Sequence, residues 1–183
     1  MTRKFLLTII ALLSIFSFDT NAQNSETAKY MHVSDVSLLR DGDEVIIVSS
    51  GCGVAMSRYQ NAKKEYILPC AVSVFEEDGL DMVSCETDSM AVFTLKKVSG
   101  GWRLKDAKSG CLCAKENTDA NLVFVNNDSS VRSLIDFKFS NDGDADISFV
   151  SLKRENQYID YKFDTKRFKR FNNSHFYGTV QVY

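Results

Sequence analysis

The chain has 183 residues, 44% of them hydrophobic and 25% charged, with a formal net charge of −2. This is globular composition on the scale of one domain, and it excludes intrinsic disorder and fibrous repeats. One proline and nine glycines exclude collagen-like and proline-rich linkers, and so neutral a balance gives no ground for a nucleic-acid partner.

The N-terminus opens with the positive segment Met1-Thr-Arg-Lys4, followed by an apolar run from Phe5 to Phe18 and the small or polar residues Thr20-Asn-Ala22. That layout predicts a secretory signal peptide over residues 1–23, cleaved near Ala22–Asn24, because the apolar run is too short to span a bilayer comfortably. Residues 24–29 then read as a short tail and 30–183 as the folded domain. No later segment is apolar over the roughly 18 residues a transmembrane helix needs. The protein is expected outside the cytoplasm, periplasmic or extracellular.

Along the rest of the chain, Asp41-Gly42, Asp78-Gly79, Ser99-Gly100-Gly101 and Asp142-Gly143 are turn signals between short runs rich in Val, Ile, Phe and Tyr. Such punctuation predicts antiparallel strands. In chain order they are Val45–Val48, Val72–Phe75, Val92–Leu95, Trp102–Leu104, Leu122–Val125, Phe137–Phe139, Ile147–Val150, Tyr158–Phe163, Phe168–Phe171 and Val180–Tyr183. No window beyond the signal keeps a clean helical period, so the expected class is all-β. Tyr30–Leu39 has no clear period of either kind.

A similar order of segments recurs three times. Leu39–Val48 leads into Gly51–Met56 and Tyr66–Leu68; Phe93–Leu95 and Gly101–Leu104 lead into Gly110–Cys113 and Leu122–Phe124; Phe137–Phe139 and Asp142–Ile147 lead into Tyr158-Ile159 and Phe168–Phe171. The acidic hairpin Val74–Leu80 reads as an insertion in the first unit. Three four-strand units of this kind can close into a barrel capped by hairpins, which removes free sheet edges. Within the second unit, Phe93-x-Leu95, Trp102-x-Leu104, Ser109-Gly-Cys-Leu112 and Asn121-Leu122 resemble one β-trefoil repeat. The chain over 30–183 resembles secreted, mostly uncharacterised β-trefoil-like domains of Gram-negative gut-type bacteria, with Thr179–Tyr183 as the final strand. The resemblance implies a single β-trefoil-like closed barrel with three pseudo-repeats. The Gln-x-Trp signature of ricin-type lectins is missing, so no sugar-site residue carries over, and the fold hosts lectins, inhibitors and cytokine-like ligands alike.

Five cysteines (Cys52, Cys70, Cys85, Cys111 and Cys113) lie beyond the signal, and an odd number leaves at least one thiol outside any disulfide. In a strand, Cys111-Leu-Cys113 puts both sulfurs on one face. Metal-binding C-x₂-C spacing is missing, so buried thiols and no metal or other cofactor are expected. Asp142-Gly-Asp144-Ala-Asp146 looks like the front of a calcium loop, but Ile147 and Lys153 stand where the glycine and the closing glutamate belong, and a hairpin turn explains it. His32 and His175 lack a partner motif for a nucleophile, and no nucleophile elbow or phosphate loop is present. A non-catalytic protein is expected.

Two segments stand out as contact surfaces. Residues 151–171 hold Lys153, Arg154, Lys162, Lys166, Arg167, Lys169 and Arg170 against Glu155, Asp160 and Asp164, interleaved with aromatics, which suits an anionic surface partner. Here Lys166, Arg167, Lys169 and Arg170 are the candidate binding residues, with Phe168 and Phe171 turned inward and a bulge or turn between them. Trp102 is a candidate stacking platform for a sugar. The exposed loop Glu76, Glu77, Asp78, Gly79, Leu80 is the candidate inhibitor loop, since rigid loops can occupy a protease cleft. The expected role is binding an extracellular glycan or protein, with protease inhibition as the alternative and hydrolysis less favoured.

Overall fold

The computed structural model describes residues 28–85, 88–115, 121–126, 129–141, 143–150, 157–172 and 179–183. The expected signal over 1–23 lies outside them. Of the expected tail 24–29, the last two residues belong to the first strand instead. The strands are β1 Ala28–Met31, β2 Glu44–Val45, β3 Ile47–Ser49, β4 Val54–Gln60, β5 Ile67–Ala71, β6 Ser73–Glu77, β7 Leu80–Cys85 and β8 Phe93–Val98. They continue as β9 Gly101–Asp106, β10 Gly110–Ala114, β11 Leu122–Val125, β12 Ile135–Phe139, β13 Ala145–Phe149, β14 Gln157–Lys162, β15 Arg167–Asn172 and β16 Gln181–Val182. Among the described residues there is no α-helix, only 3₁₀ turns at Val36–Leu38, Ser50–Cys52 and Val131–Ser133. The stretch without a clear period thus splits into β1 and a turn whose Asp35 side chain accepts from Ser37 N.

Three strand pairs carry the threefold pattern. β8 and β9 pair from Phe93–Asp106 to Val98–Gly101, and β12 and β13 from Ile135–Phe149 to Phe139–Ala145. In both pairs alternate residues (Phe93, Leu95, Trp102, Leu104; Ile135, Phe137, Ile147, Phe149) enter one apolar core, as a two-residue period requires. The third pair is not a hairpin. β3 takes the C-terminal β16 as its partner, with Val182 opposite Ile47. Each unit then continues into a second hairpin: β4–β5, β10–β11 and β14–β15. This explains why Asp41-Gly42 is a turn without a local hairpin: the strand facing β3 arrives from the far end of the chain.

The closed barrel expected from the sequence is corrected by the pairing. The strands divide into three sheets, β1-β7-β6, the sheet of β8–β13 with β2, and β14-β15-β5-β4-β3-β16, which together make half a barrel. Strand length is the reason. β16 has two residues, which pair with β3 and, at Val182, bridge to Val33, so this end of the chain meets β13 through the bond from Ala145 N to Val180 O (2.8 Å), just before β16, rather than through a ladder.

The insertion is a built element. Asp78 and Gly79 (φ +54° and +77°) make the two-residue turn between β6 and β7, as consecutive left-handed residues do. β1 pairs along the other side of β7. The resulting three-stranded sheet buries Val83 and Cys85 against Ile46, Val48, Ala55, Met90 and Tyr183, a second core. Val45–Val48 is therefore buried on both faces, whereas the corresponding strand β9 turns Lys105 to solvent. Cys111 and Cys113 share one face with Val123 in a third cluster, as their spacing predicts.

Candidate functional site

The cationic hairpin is regular. β14 and β15 pair without interruption from Gln157–Asn172 to Lys162–Arg167, so neither the bulge nor the turn expected between Phe168 and Phe171 is there. Two-residue alternation puts Phe168 and Arg170, not Phe168 and Phe171, on the inward face with Ile159 and Tyr161. Arg170 is only 2% exposed, its guanidinium 5.7 Å from the centre of the Phe149 ring. Arg167 is half-buried over the Tyr66 ring at 5.5 Å, and Lys169 is half-buried. Of the four candidate cations only Lys166, in the turn with φ +46°, is fully on the surface. Lys153, Arg154 and Glu155 lie outside the described residues.

Trp102 is buried too, its ring in the main core with Lys97 Nζ 5.2 Å from its centre, so it offers no platform for a sugar. Glu76, Glu77, Asp78, Gly79 and Leu80 are all exposed at the tip of the inserted sheet. There Lys29 reaches across β7 to pair with Glu77 at 2.8 Å.

The structure assembles a different polar site from residues that the sequence scatters. At the end of β4, Arg58, Tyr59 and Gln60 run into a turn ordered by Asn61, whose Oδ1 accepts from Glu65 N (2.7 Å) and Tyr66 N (3.1 Å). Lys64 takes the left-handed position of that turn (φ +52°). Facing it is the β9–β10 turn, ordered by Asp106, which accepts from Lys108 N (3.0 Å), Ser109 N (2.7 Å) and Ser109 Oγ (2.7 Å). The buried Asp106 also accepts from Arg58 Nη2 and Val92 N, both at 3.1 Å. One carboxylate therefore fixes the turn, the entry to β8 and the arginine together. Burial pushes its pKa up, but the bonds from Arg58 and Ser109 outweigh this and hold it below the usual carboxylate range.

Between these two turns opens a cleft of about 400 Å³ lined by Arg58, Tyr59, Gln60, Lys64, Lys108, Ser109, Phe124 and Asn126. Gln60 Nε2 donates to Leu122 O (3.3 Å), tying the wall to β11. Arg58 Nη1 donates to Asp88 O (2.7 Å), so the guanidinium is held from both ends. Lys108 Nζ meets Asp88 Oδ1 at 3.3 Å, a pair in which both side chains are largely exposed. Among the described residues the lining thus presents a buried, paired cation and two exposed ones, two amides and two aromatic rings, and no carboxylate.

Elsewhere, His32 is built into the fold: its Nε2 lies 3.0 Å from Gly143 O and its ring packs on Tyr183. His175 and Asp142 lie outside the described residues. Asp144, from the calcium-like segment, accepts from Gln181 Nε2 at 3.2 Å. No group of three or more metal-ligating side chains comes together among the described residues. Burial raises the thiol of Cys85 to about 11, with Cys70 nearby adding to the effect, which leaves it unreactive near neutrality. No described helix is long and apolar enough to cross a membrane.

Comparison with known proteins yields fold and nothing finer. No family model matches the chain, and no curated protein matches it. Among solved structures, a designed 3-fold symmetric protein, ThreeFoil, superimposes with a TM-score of 0.50 at 11% identity, over 76% of this chain and 96% of that one. The fold is all-β and trefoil-like.

Proposed function

We propose that the chain is a secreted, non-catalytic binding module for a glycan or another cell-surface or extracellular ligand, and that the ligand sits in the cleft between Arg58 and Lys108. The observation behind this reading is the convergence of Arg58, Gln60, Lys64, Lys108 and Asn126 with the rings of Tyr59 and Phe124 on one cavity. Hydroxyl-rich ligands need such closely spaced polar groups beside an apolar surface. Asp106 supports the reading from behind the wall, since a site whose side chains are already held loses less entropy when a ligand binds. An immobilised glycan panel tests it: the protein retains at least one glycan, and Tyr59→Ala or Asn126→Ala lowers that retention without lowering the melting temperature. Retention of no glycan, or loss of none in either variant, overturns it.

Export is part of the proposal and rests on the leader-like N-terminus. Intact-mass measurement of protein recovered outside the cytoplasm is expected to show loss of the first 22–24 residues, and retention of them contradicts it.

A second reading, protease inhibition, is favoured by one feature: the exposed tip Glu76–Leu80, which projects from the inserted hairpin on a two-residue turn of left-handed residues. A protease panel separates the two readings, because inhibition would be lost on replacing Asp78-Gly79 and would be untouched by changes in the cleft.

A further inference from the structure

The cleft also says what kind of ligand it suits. We infer that it takes an acidic polysaccharide, with a carboxylate or sulfate group of the polymer seated between Lys64 and Lys108; this rests on the glycan-binding reading above. Among the described residues, the charges on its lining all have one sign: Arg58, Lys64 and Lys108. They are not equivalent. Arg58 is 10% exposed and its charge is balanced by buried Asp106 at 3.1 Å, so it shapes the floor and adds little net field. Lys108 is 63% exposed, and its partner Asp88 is 97% exposed. An ion pair that open is worth little and exchanges readily. A ligand anion would take the place of Asp88 on Lys108 at small cost. Lys64 is exposed on the opposite turn and supplies a second ammonium. Two exposed, strongly hydrated ammonium groups suit a point charge on a flexible polymer, whereas a fixed guanidinium fork suits one bidentate contact.

Around them the polar groups have unequal freedom. Ser109 gives both its backbone N–H and its hydroxyl to Asp106, and Gln60 gives one amide hydrogen to Leu122. With Ser109 and part of Gln60 so engaged, the donors left to a ligand are led by the positively charged ones, which favours an anionic group over a neutral hydroxyl. The hairpin expected to carry this role does not: Arg170 is in the core and Arg167 lies on Tyr66. The fold moves the anion-facing surface from residues 166–170 to the cleft.

The test uses protein purified from cells expressing the full chain, with equilibrium binding to polygalacturonate, dextran sulfate and neutral dextran at low and physiological salt. At least one acidic polymer is expected to bind and neutral dextran not, with affinity falling as salt rises. Binding to polygalacturonate alone assigns a carboxylate, to dextran sulfate alone a sulfate ester, and to both an unselective anion site. The double variant Lys64→Gln/Lys108→Gln is expected to bind about tenfold more weakly with an unchanged melting temperature, while Lys138→Gln, on β12, leaves binding as it was. Equal binding of neutral dextran without salt dependence overturns the inference and leaves the binding-module reading standing. Acidic-polymer binding that the double variant does not weaken also overturns it. Retention of no polymer of either kind overturns the inference, and the binding-module reading falls with it only if the glycan panel also retains nothing.

Discussion

Val182 lies directly opposite Ile47 in an antiparallel pair, so the last strand of the chain completes the first of its three repeated units. Both side chains are fully buried, as is Val180, and Tyr183 is nearly so. The C-terminus is thus a structural member of the fold. Val182→Ala is expected to cost about 1–3 kcal/mol, and removal of residues 180–183 to abolish cooperative thermal unfolding. A truncated chain that melts like the intact one would show that β16 is dispensable.

Asp106 is expected to be the most sensitive polar position. Asp106→Ala removes five hydrogen bonds and leaves the Arg58 charge without its carboxylate. Breaking one side of a buried pair costs about 3–5 kcal/mol. Because the folded pKa is depressed, the unfolded chain takes up this proton first on acidification. The stability it supplies is present above the ordinary aspartate pKa of about 3.9 and is lost as pH falls through the folded value. Denaturant unfolding of Asp106→Ala and the parent protein at neutral and acid pH reads both effects, and equal stability at neutral pH would contradict the role.

Asp160 acts in the opposite direction. It is 2% exposed, its Oδ2 makes no hydrogen bond among the described residues, and Lys169 is its register partner. Burial, with repulsion from Asp146 and Asp144, pushes its pKa up to about 7. The folded chain therefore holds a proton that the unfolded chain has released between about pH 4 and 7, so stability declines as pH rises through that window. Asp160→Asn is expected to flatten the decline and to be the more stable protein above neutrality, by roughly 2–4 kcal/mol. A parent protein whose melting temperature rises from pH 5 to 8 would contradict this.

At Gly101 the backbone itself sets the residue. Its φ is +155°, and a Cβ there would lie 2.5 Å from Ile135 O, on the strand that β9 pairs with. Gly101→Ala is expected to cost about 2–3 kcal/mol, whereas Gly51→Ala, where a Cβ meets nothing within 4 Å, should be nearly silent. Comparable melting temperatures for the two variants would mean that the close approach is relieved elsewhere.

The strands with clean alternation were legible in the sequence: Phe93/Leu95, Trp102/Leu104 and Phe137/Phe139 all take the period the fold uses. β10 was harder to read as a strand because Gly110–Ala114 is buried at every position and shows no period. β4 was missed because Ala55, Met56 and Ser57 are buried in succession. The pairing of β16 with β3 joins segments far apart in the sequence, which local pattern does not encode. In the hairpin, hydrophobicity alone favours Phe171 over Arg170 for the inward place. Register decides otherwise, and the Phe149 ring receives the guanidinium of Arg170. The cleft was invisible for a related reason. Arg58-Tyr-Gln and Lys63-Lys64 do form a basic, aromatic-containing stretch, a signal present in the sequence. What gives it meaning is Asp106, which draws Lys108 and Ser109 to the opposite wall through contacts no spacing rule predicts.

The claim that this trefoil-like chain binds through the Arg58–Lys108 cleft is tested most directly by amide-resolved NMR during titration with an acidic oligosaccharide, an oligogalacturonate or a sulfated dextran fragment. The account predicts saturable shifts concentrated at residues 58–64, 108–110 and 124–126, with the 76–80 tip and the 166–170 hairpin unmoved. Shifts confined to the tip or the hairpin, or none at saturating ligand, would contradict it.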